Sequence, residues 1–227
     1  MHLRRTRSYR FAFILATIVA ALTASPGSCA QSSSSSAKHA KKPTAAPELD
    51  PGSVSNGIYR NKTLALTCKI PEAWVLRTDE MNTQDSETPP DSSAENAASS
   101  AGSKVLLAAF SRPPAAKGED VNSSILIAAE SMSAYPGLKD AVQYFGPLTE
   151  VAKAQGFTAD HEPYEIAIGT RSLGRADFHK DVGSRVMLQS TLAMLAHGYA
   201  VSITLIAGTE DEVEDLMDGL SFSAGGK

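Results

Sequence analysis

The chain has 227 residues and carries 25 acidic against 21 basic side chains, a formal charge of −4. Four of those bases lie in the first ten residues, so a chain lacking residues 1–30 would keep 17 bases against all 25 acids, about −8. That balance argues against nucleic acid or an anionic membrane surface as partner.

The first predicted element is a leader. Arg4, Arg5, Arg7 and Arg10 precede the apolar run FAFILATIVAALTA, residues 11–24. Its fourteen residues would rise only ~21 Å as a helix against ~30 Å of hydrocarbon core. A run that short is typical of a secretory signal rather than a membrane span. No other apolar run approaches spanning length, so the expectation is an exported protein, periplasmic or extracellular, without a transmembrane helix. The Arg4-Arg5 pair lacks the hydrophobic residues that follow it in a twin-arginine signal.

Two cleavage sites compete. Ser28 and Ala30 suit a general signal peptidase, which would leave Gln31 as the new N-terminus. Gly27 and Ser28 also suit a lipoprotein peptidase, which would cut before Cys29 and lipidate its sulfur. Pro26 stands where lipoprotein signals carry an aliphatic residue, so soluble export is the expectation. Lipidation at Cys29 would be the only tie to a membrane. If Cys29 leaves with the leader, Cys68 has no partner for an internal disulfide.

Residues 31–56 are Ser, Ala, Lys and Pro with hardly an aliphatic side chain and read as a disordered linker. Its basic cluster KHAKK, 38–42, reads as a solvated tether. Residues 57–223 have the size of a single domain, followed by a tail, 224–227. Within that block, residues 82–103 are polar, with Pro89-Pro90 and scattered acids, and read as a mobile surface loop.

In LALTCKI, 64–70, Leu64, Leu66, Cys68 and Ile70 alternate with Ala65, Thr67 and Lys69, which predicts a half-buried strand ended by Pro71. The apolar runs at 104–110 and 123–132 predict a hairpin with a long polar loop. Leu138, Val142 and Phe145, then Leu148 and Val151, recur at helical spacing. Gly146-Pro147 interrupts them, predicting a kink or two short helices, with Gly156 as the stop. Strands are predicted at YEIAIG, SLGRADFHK, SRVMLQSTLAML and YAVSITLIA, the last two joined by the short AHG. TEDEVEDLMDGLSF opens with a capping box, Thr209 and Glu212, and reads as a helix with Val213, Leu216 and Leu220 buried. The order predicts an α+β fold, a mainly antiparallel sheet with helices packed on it.

The stretch YRNKTLALTCKIPEAW, 59–74, resembles the opening of the PsbP/DcrB-like superfamily, with a Tyr and Asn, an alternating strand, and Pro71 and Trp74 at matching spacing. The closing hairpin and the ending LSF are similar too. Leu64-Ala65 departs from the Gly-Phe of many relatives. The resemblance implies a small exported α/β/α sandwich. It implies no reaction, because members range from photosystem-associated subunits to envelope proteins.

The chemistry-bearing residues point the same way. Cys68 alternates with Leu64, Leu66 and Ile70 and reads as core rather than nucleophile. His161, His179 and His197 have no ligand spacing among them, so no metal motif is present, and no nucleotide or other cofactor motif occurs. GTRSLG, 169–174, misses the serine elbow by one residue. The acids of EDEVED, 210–215, read as a helix start rather than a calcium loop. Arg175, Asp177 and His179 share one face of a predicted strand, either as a seat for an acidic ligand or as an exposed ladder. The expected function is a non-enzymatic binding or accessory module for a protein partner or a small amphiphile. An enzyme assembled only in three dimensions around Arg175, Asp177 and His179, or a structural subunit of an envelope complex, is the alternative.

Overall fold

The computed structural model describes residues 49–87, 103–113, 116 and 120–223. The leader, Cys29, most of the linker, the middle of the 82–103 stretch and the tail lie outside the described residues.

Described structure begins inside the stretch read as linker. Leu49 is buried, and β1 (Ser53–Ser55) pairs with β2 (Ile58–Asn61) across Asn56-Gly57, both at positive φ. Two left-handed residues match the twist of a tight hairpin. β3 (Leu66–Lys69) follows after a turn. Asn61 builds that turn from a buried position. Its Oδ1 accepts from the Leu64 N–H at 2.9 Å, and its Nδ2 donates to the Asp50 carbonyl at 2.6 Å and to the Tyr59 hydroxyl at 3.2 Å. The alternation from Leu64 to Ile70 holds as a burial pattern, but the strand is shorter because Ala65 turns at φ 54°.

After Pro71 come β4 (Val75–Leu76) and α1 (Thr78–Glu87), which together line the outer edge of β5 (Ser103–Phe110). The Asn82 side chain accepts from the Val105 N–H and donates to the Val105 carbonyl, replacing a missing strand. Thr78 Oγ1 accepts from the Ala108 N–H at 3.0 Å. Side chains thus satisfy backbone groups that an open edge would offer to another chain.

β6 (Ser124–Ser131) pairs back on β5, and a single 3₁₀ turn at 132–134 leads toward α2 (Phe145–Ala154). One helix forms here rather than two. It starts at Phe145, so Pro147 falls in its first turn, where a missing N–H costs nothing. Gly156, at φ 87°, ends it as expected. β7 (Thr158–Ala159) and β8 (Tyr164–Ile168) both pair on the outer edge of β9 (Arg171–Val182). β10 (Arg185–Ala196) and β11 (Tyr199–Ala207) form the expected hairpin across His197-Gly198. α3 (Glu210–Asp218) is capped by Thr209, whose hydroxyl accepts from the Glu212 N–H at 3.2 Å. The helix stops there. LSF is not its end but β12 (Leu220–Phe222), antiparallel to β3.

The fold is α+β and every strand pair is antiparallel. Two sheets are present where one was expected. The smaller runs β1-β2-β3-β12, and the larger runs β4-β5-β6-β11-β10-β9, with β7 and β8 completing its last edge. One face of the larger sheet carries Leu107, Ile127, Ile203, Leu192 and Leu173, which pack with Leu66 and Cys68 of the smaller sheet and Leu216 of α3. The opposite face carries Ala176, Phe178, Ala193 and Ala200 under Tyr144, Phe145 and Ala152. Small residues in the strands let α2 sit close. The result is one helix on one side and a helix with a second sheet on the other.

Candidate functional site

β9 places Arg175, Asp177 and His179 on the face shared with α3, because side chains alternate along a strand. β10 contributes Val186, Leu188 and Ser190 beside them in register. The first two turns of α3 overhang this strip with Glu210, Asp211, Val213 and Glu214. Between strip and helix lies an open groove of about 640 Å³.

Arg175 organises its interior. Its Nε donates to Asp177 Oδ1 at 2.9 Å and Oδ2 at 3.1 Å, and its Nη2 donates to Glu214 Oε1 at 2.8 Å. The Tyr164 hydroxyl donates to Asp177 Oδ2 at 2.7 Å, and the guanidinium sits over the Tyr164 ring at 6.0 Å. Burial works against charge on Asp177, but the hydrogen bonds from Tyr164 and Arg175, with the Arg175 charge, outweigh it and hold the carboxyl below its ordinary 3.8. Burial, with Asp177 close by, pushes the Tyr164 phenol up to about 12. Near neutral pH Arg175 and Asp177 therefore stay charged and Tyr164 stays protonated.

The sequence-predicted trio does not act as a unit. Arg175 and Asp177 pair, whereas His179 turns its Nδ1 to Asp160, nineteen residues away. A histidine held by a carboxylate is half of a hydrolytic triad. The missing half is a hydroxyl on its other nitrogen. Ser190, opposite Asp177 in the ladder, is buried, and its hydroxyl lies outside hydrogen-bonding geometry with every described group, His179 included. Sequence spacing placed Arg175 and Asp177 together. It could not bring in Glu214, Tyr164 or Asp160, which arrive from other elements. Among the described residues no three His, Cys, Asp or Glu side chains are grouped to hold a metal ion.

Cys68 lies away from this groove, fully buried in the main core, and burial alone pushes its thiol up to about 12. In a Cys29→Ser background, a thiol reagent at about pH 8 should therefore modify Cys68 only as fast as the protein opens. Rapid stoichiometric labelling of the folded protein would contradict that burial.

The sequence matches no protein-family model, and no curated protein is recognisably related to it. Among solved structures the fold is distantly similar to LpqN of Mycobacterium tuberculosis, described as involved in cell envelope biogenesis: 15% identity and a TM-score of 0.34 over 70% of this chain and 83% of that one. A Bacteroides thetaiotaomicron protein shares 12% identity at a TM-score of 0.36 over 71% of this chain and 46% of its own. PA94 of Pseudomonas aeruginosa, a protein of unknown function described as a putative regulator, shares 17% at 0.33 over 70% and 85%. Among the described residues no helix is long and apolar enough to cross a membrane.

Proposed function

We propose that the chain is an exported, non-enzymatic binding module of the cell envelope, whose groove between β10 and α3 seats a small amphiphile with a cationic head. The leader of residues 1–30 supports export. The observation that carries the rest is the division of labour in the groove. Arg175, Asp177 and Glu214 of its lining, with Tyr164 beside them, are bonded to one another. Other parts of the lining are uncommitted: Val186 is 43% exposed, and Glu210 and Asp211 make no ion pair among the described residues. An apolar strip bordered by free carboxylates fits a hydrocarbon tail joined to a cation. The volume falls within the ~300–1,000 Å³ range of small-molecule sites.

Titration calorimetry with dodecyltrimethylammonium below its micelle concentration tests this, with dodecyl sulfate as the opposite-charge control. One-to-one binding is expected for the cation only. Val186→Asn should weaken it about tenfold, the worth of one valine contact. Equal affinity for dodecyl sulfate, or indifference to Val186→Asn, would overturn the proposal. So would a stoichiometric protein companion seated on Val186 after mild extraction, which would make the occupant a protein.

A further inference from the structure

A second pocket, of about 460 Å³, lies where the β2–β3 turn, the β8–β9 hairpin tip and the β10–β11 tip meet. It is more enclosed than the groove and opposite to it in charge. Lys62, Arg171 and His197 line it, and among the described residues no carboxylate does. In a chain of net charge −4 that grouping stands out. None of the three forms an ion pair among the described residues. The Asp50 carboxylate, beside the Lys62 backbone, is engaged by backbone, accepting from the Gly52 N–H at 2.9 Å and the Lys62 N–H at 3.4 Å. Thr63 and Thr170 add hydroxyls to the lining, and Leu64 and Phe222 add apolar surface.

The backbone holds these groups in place at a cost. Ala65 adopts φ of 54°, a left-handed region in which its Cβ crowds the backbone, while His197, at φ 53°, is of a type that enters that region more readily. Ser223 ties the Ala65 carbonyl with its N–H at 2.9 Å, and the Ala65 N–H donates back to Lys62 at 3.2 Å. The Lys62 turn is therefore pinned from both ends. Strain fixed by surrounding bonds is characteristic of ligand sites.

We infer that this pocket binds a phosphate group, with Arg171 as the planar two-donor anchor, Lys62 and His197 as flanking donors, and the two threonine hydroxyls completing the shell. Guanidinium suits a phosphate because two parallel N–H groups match two oxygens. The site is separate from the groove, so either can fail without the other.

Two phosphate sources are open, and one experiment separates them. The full mature chain is titrated with inorganic phosphate and with glycerol 1-phosphate while backbone amide NMR shifts are followed. It is then sedimented with vesicles of phosphatidylglycerol in phosphatidylcholine. Saturable shifts confined to residues 62–65, 169–171 and 197–198 are expected, and Arg171→Gln should weaken them about tenfold, the loss of a charged two-donor contact. Lys62→Gln should weaken them less, and added sodium chloride should weaken all of them. Binding of the free phosphates without the vesicles assigns a soluble ligand; binding of the vesicles, lost in Arg171→Gln, assigns a lipid head group. No saturable shift with either free phosphate together with no Arg171-dependent vesicle binding would overturn the inference. Shifts unchanged in Arg171→Gln would do so as well.

Discussion

Substituting Gly174 is expected to destabilise the protein even by a single methyl group. Gly174 lies inside β9, directly beneath the start of α2. A Cβ built there would stand 2.7 Å from Phe145 Cε2 and 3.5 Å from the Ala141 carbonyl. Phe145 is 1% exposed and packs among Tyr144, Ala176 and Ala193, so its ring has nowhere to retreat. Gly174→Ala should cost ~1–3 kcal/mol as overpacking, although alanine is the better strand residue. Gly174→Val, with two further methyls, should exceed that range and leave little folded protein. Shrinking the ring in Gly174→Ala/Phe145→Leu should recover part of the loss, giving a coupling of ~0.5–3 kcal/mol in a urea-denaturation cycle. Strict additivity would mean that the clash is relieved elsewhere.

The second large effect is expected at Arg175. Its side chain is 15% exposed and that of Asp177 is 21%, so Arg175→Met leaves a mostly buried carboxylate with only Tyr164 as donor. Breaking a fully buried pair costs ~3–5 kcal/mol, and partial solvent access here reduces that to about 2. The pH dependence supplies the sign. Asp177 titrates below its ordinary 3.8 in the folded protein. Its contribution is therefore present above pH 3.8 and lost as pH falls through the lower, folded value. The gap between wild type and Arg175→Met should then narrow in acid, because protonated Asp177 no longer needs its cation. Denaturation curves at about pH 7 and pH 3 measure both gaps. A gap equally wide at the two pH values would show that Arg175 acts through packing alone.

How much of this was legible in the sequence depends on range. The long strands show in the sequence as apolar runs bounded by turn residues, β3 shows by alternation, and Thr209 with Glu212 shows a helix start. β12 was not legible because three residues carry no period and their partner, β3, lies more than 150 residues earlier. The second sheet went unseen for that reason, since its strands have three or four residues each. α1 is not legible because its stretch, TDEMNTQDSE, has no apolar face, and its second half falls in the 82–103 segment that reads as loop; the edge of β5 holds it through Thr78 and Asn82 instead. The same limit shaped the groove. Arg175 and Asp177 are two residues apart on one strand and could be paired on paper. Glu214 joins them from 39 residues away and Asp160 meets His179 from another strand's approach, contacts set by tertiary packing.

The pairing of β3 with β12 also bears on when the chain can fold. Leu66 and Cys68 emerge early in synthesis, but the strand that covers their edge, and the Ser223 N–H that closes the Ala65 turn, come more than 150 residues later. Closing so long a loop is slow, and nothing earlier in the described chain can substitute for those three residues. The smaller sheet is thus completed only once residues 220–223 have been added. Until then a growing chain would carry one edge of β3 unpaired across some 150 residues of synthesis, the kind of open strand edge that recruits another chain.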